Sequence, residues 1–469
     1  MLGENQLYVS DPLALHHIVV KDQNTYEETS AFFAQNKLLF GEGLLSTLGD
    51  QHRKQRKILT PVFSPARMRE MSPIFFEVTN KLRSALAHRL KGGPKEIEML
   101  AWISRTALEI LGQSGLGHSF DSLTEDVATH PFALALKRLQ PAAGRIQVTR
   151  NYLLTWVVKI GSPSFRRFMM DLIPYKNLHE IRDVADVLHQ TSLKIYDSKK
   201  KALAMGDGAL SEQIARGKDI MSVLLKANLE ASDKDKLSEA ELIGQMSTLT
   251  FAAADTTSNA LSRTFLLLAT HQDVQVKLRQ EIRNVLQHQT ELSYDALNGL
   301  VYLDAICRET LRLYPPVAIV QRTTRKDAIL PLGSPIQGLD GQIISEIPIP
   351  NNTNVIVSII GCNRDPTLWG EDSYEFKPER WLQPLPEAVT NVHIPGVYSN
   401  LMTFLGGGRA CIGFKFSQLE MKVVLAILIN SFKFSLTDKE VIWEMNPISS
   451  PAVHGKPGAQ LPLIVELVQ

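Results

Sequence analysis

The chain has 469 residues, 44% of them hydrophobic and 21% charged, with a formal net charge of +1. That is enough apolar material for a large buried core and too little net charge for nucleic-acid binding driven by a global field. Three cysteines, Cys307, Cys362 and Cys411, are too few for a disulfide framework and too widely spaced for a zinc site, so a reducing, intracellular setting is expected.

The N-terminus MLGENQLYVSDPLALHHIVV has neither a basic start nor an uninterrupted apolar core, so it does not read as a signal peptide. Within residues 1–50, LYVS and HIVV read as short strand-like runs between turns. Residues 66–290 are mostly helical in pattern, with KGGPKE (91–96) and AMGDGALSE (204–212) as loops. FLLLAT (265–270) and VVLAILI (423–429) are too short to span a bilayer, so the chain as written looks soluble or peripherally bound. Residues 317–360 change character: VAIVQRTTRKDAILPL and NVIVSII read as strands rich in β-branched residues. Helical pattern returns over 414–432. The predicted fold class is therefore mainly α with a smaller β region inserted late. No repeat, low-complexity linker or composition shift marks a boundary, so a single domain over 1–469 is expected.

Residues 238–270 combine a start signal with an anomaly. Ser238 with Glu241 three positions on is a capping-box signature. The periodic stretch from Glu239 to Thr270 then predicts one helix of roughly 48 Å. Its middle reads AAADTTSNA, which sets an acid and two threonines where no cap needs them. Such residues compete locally with the helix backbone. They are either an exposed polar face or a buried polar site, and the apolar residues on both sides favour the second.

FLGGGRACIG (404–413) raises a different question. Glycines permit backbone geometry that other residues resist, and here they surround Cys411, with Arg409 two positions before it. The pattern suggests a thiolate being presented to something. A free cysteine is by default an inert core residue, so the context has to carry the argument.

The context resembles the cytochrome P-450 superfamily, the haem-thiolate monooxygenases. FLGGGRACIG matches the cysteine-loop pattern F-x-x-G-x-R-x-C-x-G at Phe404, Gly407, Arg409, Cys411 and Gly413. ETLR (309–312) resembles the E-x-x-R motif, PERW (378–381) the P-E-R-F motif, and AAADTT (252–257) the oxygen-activation motif of a long central helix. The motifs fall in the family's order, and the resemblance runs from about residue 7 onward.

That resemblance implies a haem b group with Cys411 as its axial thiolate. Phe404 would shield the sulfur, and Gly407 and Gly413 would let the backbone turn and approach the porphyrin. A thiolate ligand pushes electron density onto iron, and backbone N–H groups around the sulfur would tune it. Arg409, Arg56 and Arg322 would pair with haem propionates through the guanidinium fork. GDQHRKQRK (49–57) resembles the family's W-x-x-x-R helix with His52 in place of tryptophan and Arg56 matching. Glu309, Arg312 and Arg380 resemble a structural triad that holds the cysteine-loop region. Asp255 and Thr256 match an acid–alcohol pair that delivers protons. Ala253 stands where the family usually has glycine, which bears on pocket shape.

The activity implied is monooxygenation of an apolar small molecule, with O2 and with electrons from NADPH. The chain shows no flavin or iron–sulfur motif, so a partner reductase, with or without a b-type cytochrome, would supply them. Arg53, Lys54, Lys57, Lys415 and Lys422 are candidate basic residues for an acidic partner. The pattern most resembles eukaryotic microsomal, fungal members acting in secondary metabolism or xenobiotic oxidation. Those begin with a membrane helix at the endoplasmic reticulum, whereas this chain begins where the globular part would. It is then either truncated or natively peripheral. Two other readings stay open: a haem-thiolate isomerase or dehydratase needing no external electrons, and a non-catalytic haem-binding protein.

Overall fold

The structure is a computed structural model. It describes residues 5–468 except 126, 127, 129, 147–149, 151, 152, 155, 207–214, 216 and 290. The elements used below are, in chain order, β1 (Gln6–Val9), β2 (Tyr26–Glu27), α1 (Gly49–Leu59), β3 (Lys95–Glu98), α2 (Glu239–Thr270), α3 (Val301–Leu313), β4 (Ile319–Thr324), β5 (Ala328–Gln337), β6 (Ile343–Ile349), β7 (Asn354–Ser358), α4 (Phe414–Ser431), β8 (Phe432–Leu436), β9 (Val441–Glu444), β10 (Ser450–Val453) and β11 (Pro462–Leu467). Further helices, among them Pro65–Arg89, Lys176–Met205 and Gln272–Leu286, make the protein predominantly helical, as its sequence predicts. The loop expected over 204–212 lies mostly outside the described residues.

The chain divides into two compact units that are interleaved in sequence. One comprises Thr29–Val78 and Arg105–Ala254 and is helical; the other comprises Met1–Glu28, Thr79–Ser104 and Asp255–Gln469 and holds every labelled strand.

In the strand-bearing unit, β1, β7, β4 and β2 form one sheet in that order, with β1 parallel to β7 and the other pairs antiparallel. Val355 and Val357 of β7 alternate inward and are fully buried with Leu15, Ile18 and Trp369. Each such valine contributes about 2 kcal/mol by leaving water. Leu401 and Met402, just before the cysteine loop, belong to the same core, so the loop is rooted in the sheet's packing.

Two sequence expectations fail in this unit. HIVV is helical, not a strand. Asp11 caps the helix Pro12–His16 by accepting from the Ala14 N–H at 2.9 Å, with proline at the first position, and a wider turn continues over His17–Lys21. The cap and the proline outweigh the β-propensity of Ile-Val-Val. Lys95 and Glu96, expected in a loop, begin β3, which pairs antiparallel with β11 more than 360 residues away (Lys95 with Val465). No local pattern announces that partner.

In the helical unit, α1 is tied to the start of α2. The Ser238 N–H donates to Glu241 Oε2 at 2.9 Å, and the Glu241 N–H donates to Ser238 Oγ at 3.2 Å, so the capping box forms as predicted. Glu241 Oε1 also accepts from Gln51 and Gln55 of α1 at 3.2 and 3.0 Å. Burial alone would raise the Glu241 carboxyl, but these hydrogen bonds hold it below its ordinary range. Gly43 and Gly244 let the backbone of the Gly41–Thr47 loop lie directly on α2. A Cβ on Gly43 would sit 2.4 Å from the Gly244 carbonyl oxygen. Phe40 and Phe251 stack beside it at 4.6 Å.

Candidate functional site

Residues 404–413 leave the core as a tight loop. Leu405 has φ 53° and Gly407 φ 66°, so the chain reverses twice in the left-handed region. A Cβ at Gly407 would lie 1.9 Å from the Val19 carbonyl oxygen, so glycine is required there by close approach to the turn at His17–Lys21 as well as by φ. The Gly408 N–H donates to Gln23 Oε1 at 2.8 Å and fixes the loop on the same side. Gly413 has φ −92° and caps α4, a conformation open to other residues, so a turn requirement does not explain it.

The loop closes on itself where the Cys411 N–H donates to the Phe404 carbonyl at 2.8 Å. Phe404 is buried, with Tyr398 edge-on at 5.6 Å and Phe414 at 6.1 Å. Cys411 itself is exposed, whereas Cys307 and Cys362 are buried and their thiols are pushed up to about 12 by desolvation. Of the three cysteines, only Cys411 is exposed. Arg409 lies in the short turn Gly407–Arg409.

The polar centre of α2 is enclosed by protein. Asp255 keeps some accessible surface, yet enclosure raises its carboxyl to about 6, and desolvation is the only cause. Its backbone carbonyl accepts from Ser258 Oγ at 3.2 Å and Asn259 Nδ2 at 2.8 Å, the local competition expected of such residues. The two threonines differ: the Thr257 hydroxyl donates to Ser417 Oγ of α4 at 3.1 Å, while Thr256 stays partly accessible.

The triad residues do come together. Arg312 reaches Glu309 with Nε and Nη2 at 2.9 and 2.8 Å, and Arg380 Nε lies 3.4 Å from Glu309 Oε1. Sequence reading missed how this cluster reaches the cysteine loop. Arg312 donates to the carbonyl of Asn363 at 3.1 Å, and the Asn363 side chain holds the Met402 N–H and Thr403 Oγ1, both at 2.8 Å. Trp381 Nε1 also donates to Glu309 at 2.9 Å. The P-E-R-W run points to Trp381, but no local signal marks Asn363.

The remaining expected residues lie on several elements. Arg322 is buried and donates to Glu28 at 2.8 Å, so one arm of its guanidinium is committed to a carboxylate. His52 is buried and Arg56 half-buried on α1, in the other unit. Lys422 is no part of a basic face. It is buried and donates to Asp304 at 2.8 Å, because α4 packs on α3 there. Arg53 pairs with Asp50, and Lys57 with Asp235 at 3.1 Å, which neutralises both. Glu420, also missed, is fully buried in α4 with neither carboxylate oxygen bonded, and desolvation raises its carboxyl. A lone acid amid LEMKVVLAILI was its only sequence signal.

A glycine-rich loop with one accessible thiol, and a long helix with an enclosed acid beside a partly accessible alcohol, fit a haem-thiolate enzyme. The comparisons agree. A family model for cytochrome P-450 matches residues 1–461. Cytochrome P-450 monooxygenase 91 of Postia placenta is 51% identical over 469 residues, covering 100% of this chain and 86% of the relative. Ganoderic acid synthetase of Ganoderma lucidum is 45% identical over 455 residues, covering 96% and 83%. A monooxygenase of Hericium erinaceus is 37% identical over 469 residues, covering 98% and 84%.

The chain belongs to the cytochrome P-450 family, and it is an enzyme of the monooxygenase class. The family's cofactor is haem held by a cysteine thiolate, and the donor set here fits it: one accessible thiol on a rigid loop, with the two other thiols sealed in the core. No helix among the described residues is long and apolar enough to cross a membrane.

Proposed function

We propose that the chain, acting as one catalytic domain, inserts one oxygen atom from O2 into an apolar small molecule, with electrons passed from NADPH through a partner reductase. The observation that carries this reading is that the chain holds both an accessible Cys411 and an enclosed Asp255 whose carboxyl is raised to about 6 by burial. Haem held by a thiolate supplies the activation of O2. Cys411 would hold the iron, the loop backbone would fix the sulfur, and Phe404 would exclude water. Arg409, Arg56, His52 and Arg322 would hold the propionates, Arg322 by releasing or sharing Glu28.

Asp255 suits proton transfer because a carboxyl near 6 exchanges protons readily at neutral pH. Thr256, beside it, would pass the proton on through a hydroxyl that both donates and accepts. The reductase is proposed to dock near Lys415, at the cytosolic face of the endoplasmic reticulum membrane. The ganoderic acid synthetase among the relatives places ganoderic acid formation among the reactions to assay.

The test is reconstitution with a fungal NADPH-dependent reductase against a panel of terpenoids, steroids, fatty acids and aromatics under isotopically labelled O2. One labelled oxygen per product, dependent on NADPH, is expected. Turnover without reductase or NADPH would establish an isomerase or dehydratase instead. Absence of any product across the panel, with the haem reduced normally by the reductase, would favour a non-catalytic haem protein.

A further inference from the structure

Two turns along α2 from the acid–alcohol pair, Arg263 occupies a setting that the oxidative reading does not use. Its guanidinium carbon lies 3.7 Å from the ring centroid of Trp443, on β9, and 4.0 Å from that of Tyr314, just after α3. Rings at these distances cover a guanidinium by cation–π contact but do not accept its in-plane N–H groups. A second guanidinium, Arg364, lies 4.9 Å from the same Tyr314 ring. Arg364 is satisfied, because it donates to the Leu313 carbonyl from Nε and Nη2. Arg263 is not. Its Nε is buried without a partner, and so is the Nε1 of Trp443. No carboxylate among the described residues pairs with either arginine. Enclosure lowers the Arg263 guanidinium to about 9, with Arg364 adding to that effect and Tyr314 opposing it.

The site therefore holds two cations and at least two orphaned donors, with no carboxylate among the described residues paired to either cation. Water would satisfy the donors but leave the charge uncompensated. An anion satisfies both, and a guanidinium fork matches the two oxygens of a carboxylate. Arg263 keeps some accessible surface, so a small ligand can reach it. We propose that Arg263 and Trp443 form a carboxylate-binding site, in which the guanidinium edge and the indole N–H both donate to the ligand. The carboxylate can come from a free small acid or from the acid group of a larger apolar molecule. This site does not depend on the identity of the haem ligand or of the oxidised substrate.

The probe is acetate, titrated into the purified holoprotein by calorimetry at constant ionic strength, with the thermal midpoint followed in parallel. Saturable binding and a raised midpoint are expected for the parent. Arg263→Gln should weaken binding by about tenfold or more, the loss of a charge-assisted hydrogen bond. Arg263→Lys should be intermediate, because it keeps the charge without the fork. Trp443→Phe keeps the stacking and removes one donor, so it should weaken binding less than Arg263→Gln and serves if that variant does not fold. Laurate in place of acetate distinguishes the sources. Tighter binding that acetate displaces indicates the acid group of an apolar molecule, and equal binding indicates a free small acid. Linear, non-saturating heats in the parent, or saturable binding unchanged in both Trp443→Phe and either Arg263 variant, would overturn the proposal.

Discussion

Arg312 and Glu309 meet one helical turn apart in a two-pronged ion pair whose side chains are both 0% exposed. A surface pair at this spacing would contribute little. Here the remaining lone pairs and protons are also used: Glu309 accepts from the Lys377 N–H at 3.2 Å, and Arg312 donates to the Ser373 carbonyl at 2.6 Å. A buried pair of this kind costs desolvation to form, but breaking it strands a charge.

Glu309→Ala or Arg312→Ala should therefore destabilise the protein by roughly 3–5 kcal/mol and leave little folded holoprotein. Asn363→Ala should be milder, at about 1–3 kcal/mol for two lost side-chain hydrogen bonds, and should act on the cysteine loop. Soluble yield, haem content and chemical denaturation measure both. Normal yield and haem content in Glu309→Ala would contradict the structural role given to this cluster.

Cys411 should be the thiolate ligand. Cys411→Ala should abolish the red-shifted Soret band of the ferrous–CO complex, and Cys307→Ala and Cys362→Ala should keep it. The buried cysteines act as small apolar side chains whose thiols sit near 12, so their loss should cost packing only. A retained band in the Cys411 variant would remove the assignment.

The parts legible in the sequence are those set by local chemistry. The Ser238–Glu241 box and the period of α2 give that helix's ends, Glu239 and Thr270, without any tertiary information. Glu309 and Arg312 were legible because helical spacing puts them on one face. What escaped depends on partners distant in the chain. β3 forms because β11 comes to it, and Lys422 is buried because Asp304 waits on α3. Asn363 matters because its side chain meets Met402 and Thr403, and Arg263 stands out only once Trp443 and Tyr314 close over it. The HIVV misreading is of another kind: its β-propensity was real, and a cap six residues upstream overrode it.

Asp255 gives a pH prediction with a definite sign. Its carboxyl is raised from 3.8 to about 6. Between those values the folded chain holds a proton that the unfolded chain has released. Neutral Asp255 therefore costs the fold nothing below about pH 4, and a penalty grows as pH rises through 6 and then stays constant. That penalty is at most about 3 kcal/mol. Asp255→Asn removes it, so the variant should be more stable than the parent at pH 7.5, and the difference should vanish near pH 4. Product formation should fall at the same time. Denaturant midpoints at the two pH values test this, and a variant no more stable than the parent at pH 7.5 would show that the acid is not strained by enclosure.

Thr256→Ala removes one hydroxyl and leaves the cysteine loop and the ion-pair cluster intact. Substrate should still bind and shift the ferric spin state, and electrons should still arrive from the reductase. Proton delivery from the Asp255 side should fail, so reduced oxygen should leave as hydrogen peroxide. The signature is uncoupling: NADPH consumption largely preserved, product per NADPH lowered, peroxide raised. Thr257→Ala is the internal control. The Thr257 hydroxyl is engaged with Ser417 across α2 and α4, so its loss should cost about 1 kcal/mol of stability and leave coupling near the parent's value. Measured with a true substrate, equal coupling in Thr256→Ala and the parent would count against Thr256 as the proton-delivering alcohol. Uncoupling in Thr257→Ala alone would transfer the role to the neighbouring residue and, through Ser417, to α4.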